Sequence, residues 1–523
     1  MMHNLLLDPI IRVRLHDGSD RLSLTEVYVA LAADKVADFP ALRAHQRHAW
    51  HALLCQLGAL ACLRGDLSTP PRDAEAWRVA LRQLAPEHPD DAAFTLVTPP
   101  DRPGFLQAPI PGGSLAGFSP AATPDALDML VTSRVHDVKP TLMDGAEPED
   151  WLFSLLTIQT MEGYSGRDNY GIARMNGGSS NRPAVSLRPP GGIGSHVMRD
   201  ITRLLALRDE MLTKNPHYAP DGLALVWLLP WDGVASLTPE RLDPYFVEIC
   251  RRVRLVAERG RICALTATSK AARVDFGPQA AGLTGDPWTP IDARKGEAKA
   301  LTIDARGFFY KRLAEILGGK QRGFELAPLH RVGVEEAGHT AFLLVCRALA
   351  RGQGKTEGLH ERRIPVLPRA IDFWRSGETA PLADIVEQRI EQAGRVRGAL
   401  RRALMVLFQN GPDRASFQPT DPNSGKRAEP FLDRLESRID DDFFRHLFAE
   451  LEAQHDGERT RLRAAWLTLL LDRARNILHE AEKGAPSSAV RRFRAQARAE
   501  AALSGMFFAM FKDYLPKETS DAA

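Results

Sequence analysis

Cysteine is scarce and scattered, with five residues at 55, 62, 250, 263 and 346 among 523 and no CxxC pair. An odd, dispersed set gives neither a disulfide framework nor a thiolate metal site, which places the chain in a reducing compartment, the cytoplasm. Long apolar runs are missing as well. Nothing approaches the roughly 20 residues of a membrane span, and Asp8-Pro9 stops the Leu5-Leu6-Leu7 run where a signal peptide continues its apolar region. No membrane association is expected. Neither sign of charge dominates, since 68 Lys and Arg face 66 Asp and Glu for a net +2. A balanced total leaves room for a basic face. The HExxH, GxSxG and GxGxxG patterns are all absent, as are Cys/His pairs set like metal ligands. The reading is therefore of a protein that is not an enzyme, with no cofactor and no metal.

The residues that are present divide the chain in two. At this length a second core is expected, and the pattern changes after Pro365 and Pro368. Residues 1–368 read as a large mixed α/β domain and 369–523 as a four-helix bundle, an α+β protein overall. Ile10 to Leu15 alternates and runs into His16-Asp17-Gly18, a strand and turn. Leu42 to Arg64 has helical spacing. Metal ligation by its His45, His48 and His51 needs an acidic or cysteine companion nearby, and steps of three drift around a helix so that the outer two diverge by roughly 120°, so a solvated start to the helix is expected rather than a metal site. Residues 90–150 are rich in Pro and Gly and read as loop. Pro148 to Thr160 is a helix, Leu223 to Leu229 a buried strand, Asp243 to Cys250 a short helix, and Val253 to Thr268 a strand pair. Helical stretches near 383–410, 430–453, 459–482 and 487–513, with short polar connections, form the bundle.

Four segments have the composition of contact sites. Thr132 to Lys139, containing His136, Asp137, Val138 and Lys139, is basic and suits either a phosphate contact or a surface turn. Gly163-Tyr164-Ser165-Gly166 begins a glycine-rich stretch with Arg167, Arg174 and Arg182. It fits backbone amides set against phosphate, or an ordinary connection. Arg294 and Lys295 are adjacent cations at a hairpin-like tip. Arg351-Gly352-Gln353-Gly354-Lys355-Thr356-Glu357-Gly358 precedes His360-Glu361-Arg362-Arg363 and reads as a polar, basic loop. Its Gly354-Lys355-Thr356 imitates a nucleotide-binding P-loop, which makes an ATP-hydrolysing protein using Lys355 and Thr356 the alternative. Leu349 stands where that motif needs its first glycine, and Pro365 lies where its helix should run.

The order of these motifs resembles the CasA family, the large subunit of the type I-E CRISPR surveillance complex Cascade. The resemblance rests on Asn4-Leu5-Leu6-x-Asp8-Pro9, the Gly163 to Gly166 loop, Gly285-Asp286-Pro287-Trp288-Thr289-Pro290 with Arg294-Lys295-Gly296, the Arg351 to Gly358 segment, and the terminal helices. It implies recognition of the protospacer-adjacent motif in double-stranded DNA through the minor groove, strand separation for guide-RNA pairing, and recruitment of a helicase-nuclease in trans. The implied DNA-binding residues are Gly163, Tyr164, Ser165, Gly166, Arg294, Lys295, Arg351 and Gln353, with Lys295 in the groove and Gln353 as a wedge. His136 to Lys139 falls where the family touches the guide RNA's handle. Ser165 replaces a small position of the family's glycine loop. Implied partners are the guide RNA, the other Cascade subunits and target DNA.

Overall fold

Near the amino end, Ser23 starts a helix by a reciprocal cap, accepting from Glu26 N while the Glu26 carboxylate accepts from Ser23 N. The computed structural model describes residues 3–130, 145–177, 181–336, 341–352, 355–485 and 489–514. Strands β1 (Ile11–Leu15), β2 (Gly18–Leu22) and β3 (Val36–Asp38) form an antiparallel sheet in the order β2-β1-β3, and the capped helix α1 (Leu24–Ala32) joins β2 to β3. Helix α2 (Arg47–Arg64) is buried on every face from His48 to Cys62. Such a helix belongs at the centre of a large core. Against it pack α3 (Ala74–Arg82), α4 (Pro148–Met161) and α5 (Ile193–Ala206), and α6 (Arg208–Lys214) packs on α5. Gly58 lets α2 meet α5 closely, because a Cβ there would lie 2.5 Å from Ile201 Cδ1.

The burial of α2 overturns the expectation of a solvated helix start. His45 is bonded to Asp128 at 2.9 Å, His51 to Asp200 at 2.8 Å, and His48 meets Trp288 edge to face. Their acidic partners lie over 80 residues away in sequence, so no local pattern announces them.

Small sheets complete this part. β4 (Ser119–Ala121) adds to the hairpin of β8 (Arg252–Glu258) and β9 (Arg261–Ala267), while β6 (Leu223–Leu225) pairs in parallel with β7 (Leu242–Val247). The helix expected over Asp243 to Cys250 is thus mostly strand. Pro244 and the aromatic, β-branched run Tyr245-Phe246-Val247 favour extension. The described part of the Pro-rich segment is mostly loop apart from β4, and buried Arg254 organises its first part by donating to the carbonyls of Thr98, Pro99, Arg102 and Gln107. Burial lowers this guanidinium to a pKa of about 10. A third sheet contains β10 (Ile291–Asp292), β11 (Lys299–Ala300) and β12 (Phe324–Glu325) in the order β11-β10-β12. A fourth runs β14-β13-β5, from β5 (Ala184–Arg188), β13 (Phe342–Gly352) and β14 (Lys355–Val366).

The chain divides into two compact units, Met1–Phe308 with Gly323–Pro365, and Phe309–Arg322 with Val366–Ala523. The second is helical. It holds α7 (Tyr310–Leu317), α8 (Pro368–Ser376) and the long helices α9 (Ala380–Phe408), α10 (Pro422–Glu452), α11 (Asp456–Gly484) and α12 (Ala489–Phe511). Asp421 caps α10 with Pro422 in its first turn, so the helix starts earlier than the polar composition suggests. Inside the bundle Arg389 pairs with Glu450 at 2.7 Å and stacks on Trp466. α7 joins the bundle through Tyr310 Oη, which donates to Glu436 at 2.9 Å. Among the described residues, no helix is long and apolar enough to cross a membrane.

Candidate nucleic-acid interface

The glycine loop begins where α4 stops, at Glu162, whose backbone is extended. Ser165 N donates to Asn169 O and Asn169 N to Gly166 O, closing a tight turn. Gly166 takes φ +123°, a conformation that L side chains avoid. Gly171 permits close approach of the two limbs, since a Cβ there would collide with the backbone of Gly163. Beneath the turn, Arg251 donates to Gly163 O at 2.8 Å, to Ser165 Oγ at 3.0 Å and also to Tyr170 O. Gly163 is buried in this base, while Tyr164 and Ser165 are exposed. The result is a preorganised turn that presents small polar groups and one aromatic ring. Ser165 is part of its support as well as its rim.

Arg351, at the end of β13, points its guanidinium at the same base: Nη1 lies 2.5 Å from Glu162 Oε2. One carboxylate therefore joins the glycine loop to the strand end that precedes Gln353. Gln353 and Gly354 themselves lie outside the described residues. The segment expected to be a loop is largely strand, because β13 and β14 are neighbours and only those two residues separate them. Glycine disfavours helix, but pairing satisfies the backbone in extension. Lys355 and Thr356 stand in β14, which runs on to Val366 with no helix after them to receive a phosphate at its amino end. The P-loop-like alternative does not form.

Arg294 and Lys295 occupy the tip between β10 and β11. Arg294 is held down, donating to Asp292 at 3.0 and 2.8 Å and stacking 4.7 Å from the Phe324 ring. Lys295 is exposed and makes no ion pair among the described residues. The hairpin has a rigid root. Asp286 accepts from Arg182 Nε at 2.5 Å and from Trp288 N at 3.0 Å, and Trp288 is fully buried. Burial alone would raise the Asp286 pKa, but Arg182 and Arg174 hold it below the usual carboxylate range. Asn176, downstream of the glycine loop, donates to Ala300 O at 3.2 Å, so the loop's far limb reaches the end of β11.

The arginines of the glycine-rich stretch separate into two kinds. Arg167 is exposed. Arg174 and Arg182 are buried, Arg174 lying over Phe246 and 3.6 Å from Glu248, and so cannot supply charge to a nucleic-acid surface. His136, Asp137, Val138 and Lys139 lie outside the described residues. Sequence reasoning missed Glu162 and Arg251, the pair of residues that assemble the site, because their partners are up to 189 positions away. His51, His196 and Asp200 also converge, with one potential metal-ligand atom from each within 4.8 Å of the others.

Comparison with known proteins agrees over the length of the chain. The family model for CRISPR-associated protein Cse1 matches residues 4–477. The fold is similar to the crystal structure of CRISPR-associated protein Cse1 from Acidimicrobium ferrooxidans, with TM-score 0.66 and 17% identity over 99% of both chains. It is also similar to Thermus thermophilus CasA (Cse1), with TM-score 0.61 and 16% identity over 97% of this chain and 99% of the other. Thermobifida fusca Cse1 gives TM-score 0.61 and 15% identity over 97% and 98%. No protein of curated function matches the sequence.

Proposed function

The chain belongs to the CRISPR-associated protein Cse1 family, and from that premise we propose that it is the large subunit of a cytoplasmic type I-E Cascade complex. Its work is to recognise the protospacer-adjacent motif in duplex DNA, begin strand separation for the guide RNA, and help recruit a helicase-nuclease. The Gly163 to Gly166 turn and Lys295 approach the minor groove. Because that groove mainly separates A·T from G·C pairs, such a reader accepts several related motifs. Gln353 enters beneath the motif, where losing one stacking step costs about 1.4 kcal/mol, an amount that a few hydrogen bonds offset. Arg294 and Arg351 belong to this site through their neighbours, one fixing the tip and the other the strand end. His136 to Lys139 meet the guide RNA's handle. The chain itself carries out no catalysis.

The observation that carries this reading is the Glu162–Arg351 pair, which places the glycine loop beside the strand that leads to Gln353. The test compares binding of reconstituted complex to duplexes with and without the adjacent motif. Preference for the motif is expected, and equal affinity refutes the proposal. Lys295→Ala should leave assembly intact, weaken strand opening, and reduce the salt slope of binding by about one. Gln353→Ala should impair opening in the same way. Loss of assembly in both variants contradicts these roles.

A further inference from the structure

A basic cavity of about 320 Å³ lies in the larger unit, lined by residues of α2, α5, β5, β13 and β14, and none of the assignments above uses it. Its construction follows from strand alternation. In the antiparallel pair β5–β13, Arg188 stands opposite Leu343, Ser186 opposite Val345 and Ala184 opposite Arg347, so these residues share one sheet face. β14 contributes Arg363 and the start of α2 contributes Arg47, which brings four arginines to one cavity. Carboxylates answer only some of this charge. Arg47 pairs with Asp38 at 3.2 Å, while Arg347 and Arg363 share Glu361. Arg188 has no ion pair among the described residues, and its buried Nε has no hydrogen-bond partner. The rest of the wall sets apolar Phe39, Leu42 and Trp50 beside three histidines, His16, His51 and His196.

We propose that this cavity binds a phosphate monoester carried by a nucleoside, with the phosphate at Arg188 and Arg363 and the nucleoside against the apolar wall. Arginine's fork matches phosphate oxygens in a bidentate way, and a charge-assisted hydrogen bond is about twice as strong as a neutral one. The volume falls near the lower end of small-ligand pockets, about 300–1,000 Å³. The amino end of α5 is not counted toward the site, because Asp34 already accepts from Gly192 N, Ser195 N and Ser195 Oγ. A metal on His51, His196 and Asp200 is a poorer occupant of the same region. Asp200 already accepts from His51, Arg199 and Trp288, and the surrounding arginines repel a cation.

Calorimetric titration of the full chain with AMP, adenosine and inorganic phosphate tests this. AMP should bind at one site, at least about tenfold more tightly than adenosine. Arg188→Gln and the more exposed Arg363→Gln should each weaken AMP by about tenfold while leaving the circular dichroism spectrum unchanged. If Arg188→Gln does not fold, Arg363→Gln alone decides. Short RNA oligonucleotides with a 5′-phosphate or a 5′-hydroxyl separate a strand end from a free nucleotide. Preference for the phosphorylated form extends the site to strand ends, and competition by AMP alone restricts it to free nucleotides. AMP binding no tighter than adenosine, no AMP binding at millimolar concentration, or unchanged affinity in a folded Arg363→Gln overturns the proposal.

Discussion

Glu162→Ala removes the carboxylate that joins the glycine loop to the end of β13. Glu162 Oε2 is 2.5 Å from Arg351 Nη1, its Oε1 is 3.9 Å from Arg251 Nη2, and the Glu162 and Arg351 side chains are 5% and 12% exposed. At that separation and an effective dielectric of about 20, the attraction is roughly 6–7 kcal/mol. Desolvation of both ions cancels a large part of it. Removing one partner of a buried pair costs about 3–5 kcal/mol, and the residual exposure of Arg351 puts the expected loss near 3 kcal/mol. Six of the eight tryptophans lie in the larger unit. Their emission during urea unfolding therefore follows that unit, without treating two units as one transition. In a double-mutant cycle with Arg351→Ala, the coupling should reach about 1–3 kcal/mol, and additivity within about 0.5 kcal/mol refutes the pairing. The same variant in assembled complex should lose preference for motif-bearing duplex, since loop and strand end are no longer held together. Full preference retained despite a measured coupling contradicts the positioning role.

Three further outcomes are expected. Gly166→Ala strains a backbone at φ +123° without any steric clash, so it should cost about 1–2 kcal/mol in urea titration and weaken duplex binding. Arg254→Met strands the carbonyls of the Pro-rich loop and should destabilise the larger unit by about 3 kcal/mol or more, with proteolysis increasing between Thr98 and Ala108. His48, His196 and His330 are held neutral chiefly by burial, His330 down to about 3. The unfolded chain then binds protons that the folded rings refuse. Stability is therefore undiminished by these rings above about pH 6.5 and falls as pH drops below it, by up to about 1.4 kcal/mol per pH unit for each ring, continuing to about pH 3 for His330. His330→Phe should flatten that acid slope in urea titrations from pH 7 to 4, and an unchanged slope rules His330 out.

The bundle was legible because amphipathic spacing is local: α9 to α12 each repeat a buried face that sequence displays directly. Strands were harder where tertiary pairing overrode a local signal. Lys355 to Gly358 looks like a loop until β13 lies beside it, and Asp243 to Cys250 has apolar spacing compatible with a helix until β6 pairs with Leu242 and Val247. Motif order along the chain identified the family, whereas no single motif was specific enough to do so.

Arginine was the residue most easily misread. A guanidinium in a glycine-rich, polar stretch suggests a phosphate contact, yet Arg174 and Arg182 are core residues neutralised by Glu248 and Asp286, and Arg351 is committed to Glu162. None of those acids lies within ten positions of its partner, so the distinction between a paired and an available cation exists only after folding. The consequence for the proposed DNA site is specific. Of the charged residues assigned to it, only Lys295 is both exposed and without an ion pair among the described residues, so the electrostatic part of motif binding should depend on Lys295 far more than on Arg294 or Arg351. Substituting those two arginines should instead disturb shape. Their signature is a lost preference among motifs with little change in salt slope, the reverse of what Lys295→Ala produces.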